Sequence, residues 1–193
     1  MGARKTFAES DIIDAALGIV REQGWSAVTA RSIAHKLGSS TMPIYSTLTS
    51  MDSLEDAVRR RVLEMLEQYQ SGQYSPNPAF DQALGYVRFA RDEGRLFQFL
   101  FSAVTLSRHA QQHELDAIAR GKIAKNSPVY EPFMAIASQK QSGFVLKNWI
   151  YLHGLATMIA TGMLQDMDDE RLLQLVAEAA EALYLWEMRD ATP

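Results

Sequence analysis

Residues Thr29–Leu48 read TARSIAHKLGSSTMPIYSTL, and their reading decides the fold. Thr29 is a good helix N-cap, and eight residues with helical spacing follow, with Ile33, Ala34 and Leu37 on the inward side. Gly38 then supplies a turn conformation that other residues resist. Ser40 is placed to cap a second, very short helix over residues 41–47. Pro43 falls within its first turn, where the missing N–H does no harm. Ala34 is small enough to let the two helices cross closely, and Ile44 sits where it plugs the joint. Such a pair is a helix-turn-helix, and its short second helix is polar enough on the outside to enter a major groove. An ordinary helical hairpin inside a bundle has the same pattern, so the pattern alone leaves both readings open.

Outward from this hairpin the chain stays helical. A first helix is expected from Ser10, with Ile12, Ala16 and Val20 as its stripe, closed by Gly24 and followed by Trp25 packing back. A longer helix begins after Ser50 and runs to about Tyr69, and its Arg59, Arg60 and Arg61 are expected to be solvated rather than in contact with DNA. SGQYSPNP (71–78) is the clearest break. Helices are expected over 80–93 and 95–107. A polar stretch follows at 109–126, then a helix start at Ser127-Pro128 and a turn at 139–143. Two long helices over 144–164 and 169–188 finish the chain. No period-2 alternation is sustained. The expected fold is all-α, with an N-terminal three-helix DNA-binding domain over 1–50 and a larger C-terminal helical bundle for ligand binding and dimerisation over 51–193.

Composition sets the limits. The 193 residues are 47% hydrophobic and 22% charged, which excludes a disordered chain. A formal charge of −4 excludes a uniformly basic nucleic-acid binder but not a local basic patch. Cysteine is absent, so disulfides, thiolate metal sites and cysteine nucleophiles are all excluded, and a reducing compartment fits. Charges at Arg4, Lys5, Glu9 and Asp11 leave no apolar core for a signal peptide. MGARKT (1–6) fits the loose myristoylation pattern, which arises readily by chance. The longest uncharged stretch, 148–165, is too polar to span a bilayer. A cytoplasmic protein without membrane partners or cofactors is expected. His109 and His113 sit at a metal-chelating spacing, but no third ligand is identifiable and the order is not that of a zinc hydrolase. There is no phosphate loop, nucleophile elbow or dinucleotide fingerprint, so no enzyme is expected.

The first seventy residues resemble the TetR family of transcriptional regulators. The resemblance rests on Ile13-Asp14-Ala15-Ala16-Leu17, Gly24-Trp25, Thr29-Ala30-Arg31-Ser32-Ile33-Ala34, Leu37-Gly38-Ser39-Ser40, Ile44-Tyr45 and Leu54, in order and spacing. It implies a ligand-responsive regulator, commonly a repressor, that binds palindromic double-stranded operator DNA as a homodimer. It implies that Thr29 offers its hydroxyl and backbone N–H to a phosphate, that Tyr45 reaches another, and that Thr47 stands at a phosphate-binding position. Thr41, Met42, Pro43 and Ser46 would face the base edges, and Ser40 counts with the DNA-binding residues. Arg31 and Lys36, with Arg4 and Lys5 on an N-terminal arm, would supply charge. Tyr45 has a rival reading as a residue closing the small domain's core, and Arg31 one as a solvated charge.

Two departures from the family pattern stand out. Thr41 occupies the place of a basic residue early in the recognition helix, and Met51 that of a lysine opening the fourth helix. Residues 1–50 hold five basic and four acidic side chains. Phosphate contacts should therefore be few, with readout left to hydroxyls and to thymine-methyl contact by Met42 and Pro43. The rival reading is a helical small-molecule-binding protein with a degenerate, weakly DNA-binding hairpin.

In the C-terminal part, Leu152, Ala156, Ile159 and Met163 follow heptad-like steps, as do Leu172, Val176, Ala179, Leu183 and Trp186. Paired across two chains, these seams would make a four-helix dimer interface; buried within one chain, they would not. Trp149 and His153, one turn apart in a Trp…His-Gly element resembling one branch of the family, join Tyr86, Phe89, Phe97 and Phe101 as candidate walls of a cavity for an apolar small-molecule effector. A core histidine bonded to a neighbour is the alternative for His153.

Overall fold

The computed structural model describes residues 7–101 and 142–189. Within these the chain is all-helical. It forms α1 (Glu9–Gln23), α2 (Ala30–Lys36), α3 (Met42–Thr47), α4 (Met51–Gln70), α5 (Pro78–Asp92), α6 (Gly94–Phe101), α7 (Ser142–Ala160) and α8 (Asp169–Arg189), with a 3-10 turn at Trp25–Ala27. The candidate metal pair His109/His113 and the arm residues Arg4 and Lys5 lie outside the described residues.

Helix ends follow hydrogen-bond satisfaction. α1 starts one residue before the expected Ser10 cap: Ala8 is its N-cap, and its N–H donates to the Asp11 carboxylate at 2.9 Å. Ser50 caps α4 reciprocally with Ser53, each backbone N–H donating to the other's hydroxyl. α7 begins two residues before the expected Phe144 and stops at Ala160, four residues short of the expected Leu164. Gly162 at φ +75° ends it. The Gly162 N–H donates to the Ile159 carbonyl and the Met163 N–H to that of Met158, so the orphan carbonyls are satisfied.

One hydrophobic cluster runs from Ile12 and Ile33 in the N-terminal helices through Leu54, Val62 and Val87 to Leu152 and Leu172. α5 is its hub and packs on α4, α7 and α8. The α4–α5 crossing is close because Gly85 faces the backbone of Tyr69 and Gln70. At the far end of α5, Arg88 and Arg91 both engage the Asp169 carboxylate at the start of α8, the latter at 2.7 Å. The Asp169 carboxyl is held below its usual range by these guanidiniums, Arg91 first.

Candidate DNA-binding hairpin and the aromatic cage behind it

The hairpin forms as its sequence dictates. The Thr29 hydroxyl accepts the Ser32 N–H at 3.0 Å, and the Thr29 N–H donates to the Ser32 hydroxyl at 2.9 Å. Both groups that the resemblance assigned to a phosphate are thus already engaged within the chain. Gly38 takes φ +61°; its N–H donates to the His35 carbonyl and the Ser39 N–H to the Ala34 carbonyl. This closes α2 and turns the chain sharply into α3. Ala34 (2% exposed) and Ile44 (0%) fill the joint.

At about 100° per residue, the six residues of α3 separate into two faces. Pro43 and Ile44 point inward and are buried. Met42, Tyr45 and Ser46 point outward and are exposed, Met42 at 61% and Tyr45 at 71%. Pro43 was expected at the base edges; packed beside Ile44, it is removed from them. The exposure of Tyr45 excludes its core-closing reading. Ser40 is exposed and Thr41 half-buried, and the Ser46 and Thr47 hydroxyls both donate back to the Pro43 carbonyl. Arg31 is exposed. Lys36, expected to face DNA, instead pairs with Glu22 at 2.7 Å. Its stem lies over the bare backbone of Gly18, where a Cβ would meet Lys36 Cε at 2.8 Å. This pairing draws the Glu22 carboxyl below its usual range.

Behind the hairpin, α5, α6 and α7 bring four rings around His153. Its Nδ1 lies 2.8 Å from the Tyr86 hydroxyl. Trp149, one turn earlier, stacks on it at 5.0 Å and 14°. Phe101 meets it edge-on at 4.9 Å, and Phe97 approaches at 5.8 Å. Phe89, expected with this group, lies elsewhere: it is fully buried edge-on against Tyr69 of α4. His153 is therefore bonded to a neighbour, and it still has one ring nitrogen beyond that bond.

Burial pushes the His153 imidazole below its ordinary value of 6.5. Below pH 6.5 the unfolded chain takes up a proton that the folded chain resists, so His153 makes stability fall with falling pH. A melting series from pH 8 to 5 is expected to show this loss beginning near 6.5, at no more than about 1.4 kcal/mol per pH unit. His153→Gln should flatten that part of the profile; an unchanged profile would place its cause in other groups.

α6 stands between the cage and the hairpin's domain. Phe97 and Phe101 face His153, whereas Phe99 packs on Trp25 at 5.2 Å. Arg59 of α4 lies 5.8 Å over the same Phe99 ring and donates to the Leu100 carbonyl at 3.4 Å. Arg59 was expected to be solvated along with Arg60 and Arg61; it is half-buried, and burial lowers its pKa against the pull of Glu55 and Asp56. Arg21 of α1 adds a second tie, to Glu93 at 2.8 Å, beside the α6 N-terminus.

The backbone fold is similar to that of a solved structure. A TetR-like transcriptional regulator from a Rhodococcus species superposes with a TM-score of 0.56, covering 92% of this chain and 96% of that one at 17% identity. The fold is that of the TetR-like regulators. Among curated proteins, an uncharacterised HTH-type transcriptional regulator of Mycobacterium tuberculosis is 26% identical over 171 residues, which is 84% of this chain and 75% of the relative. No family model matches the chain. Among the described residues of this TetR-like fold, no cluster of metal-ligating side chains occurs and no helix is long and apolar enough to cross a membrane.

The TetR-like fold also corrects the C-terminal seams. Leu152, Ala156, Ile159, Leu172 and Val176, expected at a dimer interface, are all buried in the chain's own core. Ala179 and Leu183 are half-buried, and only Met163 (72%) and Trp186 (63%) of that set are exposed. Besides Trp186, the apolar side chains that α7 and α8 turn outward are Ile150, Tyr151 and Met158, with Tyr184 and Leu185. Ile150, Tyr151 and Met158 line an open groove of about 440 Å³ between the two helices, and its floor includes Leu155 and Leu175.

Proposed function

We propose that this chain is a ligand-responsive transcriptional regulator, acting as a repressor, that binds palindromic operator DNA as a homodimer. One observation carries the reading: a capped helix-turn-helix whose second helix buries Pro43 and Ile44 and turns Met42, Tyr45 and Ser46 outward. The similarity to transcriptional regulators of the same fold supports it. The N-terminal unit over 1–50 presents the reading helix, and 51–193 supplies pairing and the effector site. The chain acts in the cytoplasm and performs no catalysis.

Pairing is assigned to the outer face of α7 and α8, where Ile150, Tyr151 and Met158 leave an exposed apolar groove. Two reading helices related by a twofold axis address half-sites one helical turn apart. The effector site is assigned to the rings around His153, which suit an apolar molecule carrying one polar group. α6 couples the two. A ligand displacing Phe97 or Phe101 moves the helix that Trp25 and Arg59 grip from the other side, and the separation of the reading helices changes.

Selection from random duplex DNA by the purified protein at low salt tests this reading. A palindrome is expected; a folded dimer that enriches nothing would favour the rival reading of a degenerate hairpin, for which the pairing of Lys36 with Glu22 is the supporting observation. On the selected operator, Arg31→Ala should weaken binding and reduce the slope of log K against log salt by about 0.9 per protomer. An unchanged slope would make Arg31 a solvated charge.

A further inference from the structure

The outward face of α3 has a chemistry that narrows what it reads. Resting on the DNA-binding reading above, we infer that Met42 and Tyr45 are the specificity-determining residues, and that they read thymine methyl groups in the major groove of each half-site, which moves the Tyr45 ring from the phosphate that the resemblance implies to a base edge. Guanine is commonly read by the two-pronged donor of arginine or by lysine, reaching O6 and N7. From Leu37 to Val58 the chain has no arginine or lysine at all. The next cation, Arg59, is half-buried against Phe99 and the Leu100 carbonyl. Lys36 is tied back to Glu22 on α1, and the exposed Arg31 stands on α2 rather than on the α3 face and is assigned to a phosphate above. The reading face therefore presents a thioether methyl, a phenol ring and the Ser46 hydroxyl. That hydroxyl donates to the Pro43 carbonyl at 2.9 Å, so towards a base it offers lone pairs. It suits a donor such as the adenine or cytosine amino group.

The one apolar group that the major groove displays is the thymine C5-methyl. Met42 and Tyr45, three residues apart on one side of α3 and both largely exposed, match it in polarity and place it beside the Ser46 acceptor. Pro43, which the sequence also offered for this contact, is buried and takes no part.

The test uses the full-length protein and the operator recovered by selection. Each thymine of a half-site is replaced in turn by uracil, which removes only the methyl, and each guanine by 7-deazaguanine, which removes N7. Affinities are measured at one fixed salt concentration. Uracil at one or two thymines per half-site should weaken binding about four-fold for each methyl that the protein covers. In Met42→Ala or Tyr45→Ala, both exposed positions, the penalty at one such thymine should vanish. Uracil tolerated throughout, a loss caused by 7-deazaguanine instead, or a penalty that survives both substitutions would each overturn the assignment while leaving DNA binding intact. Recovery of no operator would overturn the DNA-binding reading itself, and this assignment with it. A preference for A·T pairs arising only in the minor groove would survive the loss of a major-groove methyl, so it too counts against.

Discussion

Replacing Gly85 with alanine is expected to destabilise the protein by about 3 kcal/mol, the upper end of what overpacking a well-filled site costs. A Cβ at this position would run into the Tyr69 carbonyl and stand 2.6 Å from the Gln70 Cα. Those atoms are backbone, at the end of α4, and no rotamer change moves them. Relief would require separating α4 from α5, and α5 is the hub that also carries Tyr86, Arg88 and Arg91 to their partners. The Tyr74 hydroxyl donates to the same Tyr69 carbonyl at 2.6 Å, so the displacement would strain that bond too. For a chain of this length the expected loss corresponds to a fall in melting temperature of about 6–12 °C. A fall of under about 2 °C would mean that the two helices slide apart freely.

Ile44→Ala is expected to be as damaging to the hairpin as Gly85→Ala is to the bundle. Ile44 is fully buried between α2 and α3, and removal of a core isoleucine side chain costs about 2–5 kcal/mol. α3 has six residues, too few to hold a helix without tertiary packing. The loss should therefore appear as local unfolding of α3 before the rest. Amide exchange in α3 should accelerate, operator affinity should fall at least ten-fold, and α7 and α8 should keep their protection. Equal loss of protection everywhere would show that hairpin and bundle unfold as one unit.

Much of the fold was legible in local chemistry. Thr29 and Ser50 announce α2 and α4 because a hydroxyl before an apolar run satisfies the first free N–H groups. Gly24 and Gly38 end α1 and α2 because both need positive φ. The start of α1 was less legible: Ala8 has no capping side chain, and the signal is Asp11 reaching back from three residues ahead. Apolar spacing alone runs α7 past Gly162, whose positive φ ends it just as Gly38 ends α2. The direction of Pro43 does not follow from Ile44 alone, since Tyr45 is equally adjacent to it and points outward.

The candidate sites were harder, for a physical reason. A heptad-like seam shows that a face is buried but not in whose core. Leu152 and Leu172 are buried in the core of their own chain, and no pattern within α7 or α8 carries that information. Arg59 was misread similarly, because an arginine beside Arg60 and Arg61 looks solvated until Phe99, forty residues on, comes to lie under it. The ring cluster around His153 was named with one member too many, because aromatic content does not say which side of α5 a ring occupies.

The two faces of α6 bear on how such a protein diversifies. Phe97 and Phe101 touch the His153 cage, and between them Phe99 touches Trp25 and Arg59. Only one helix's thickness separates the surface that would meet an effector from the surface that holds the reading domain. Under the proposed function, a substitution at Phe97 or Phe101 that admits a new effector would also reset how tightly the unliganded protein holds its operator. Effector preference and basal occupancy are then inherited as one trait, and a lineage acquiring a new effector would need a second change, at Phe99, Arg59 or Trp25, to recover its former silence.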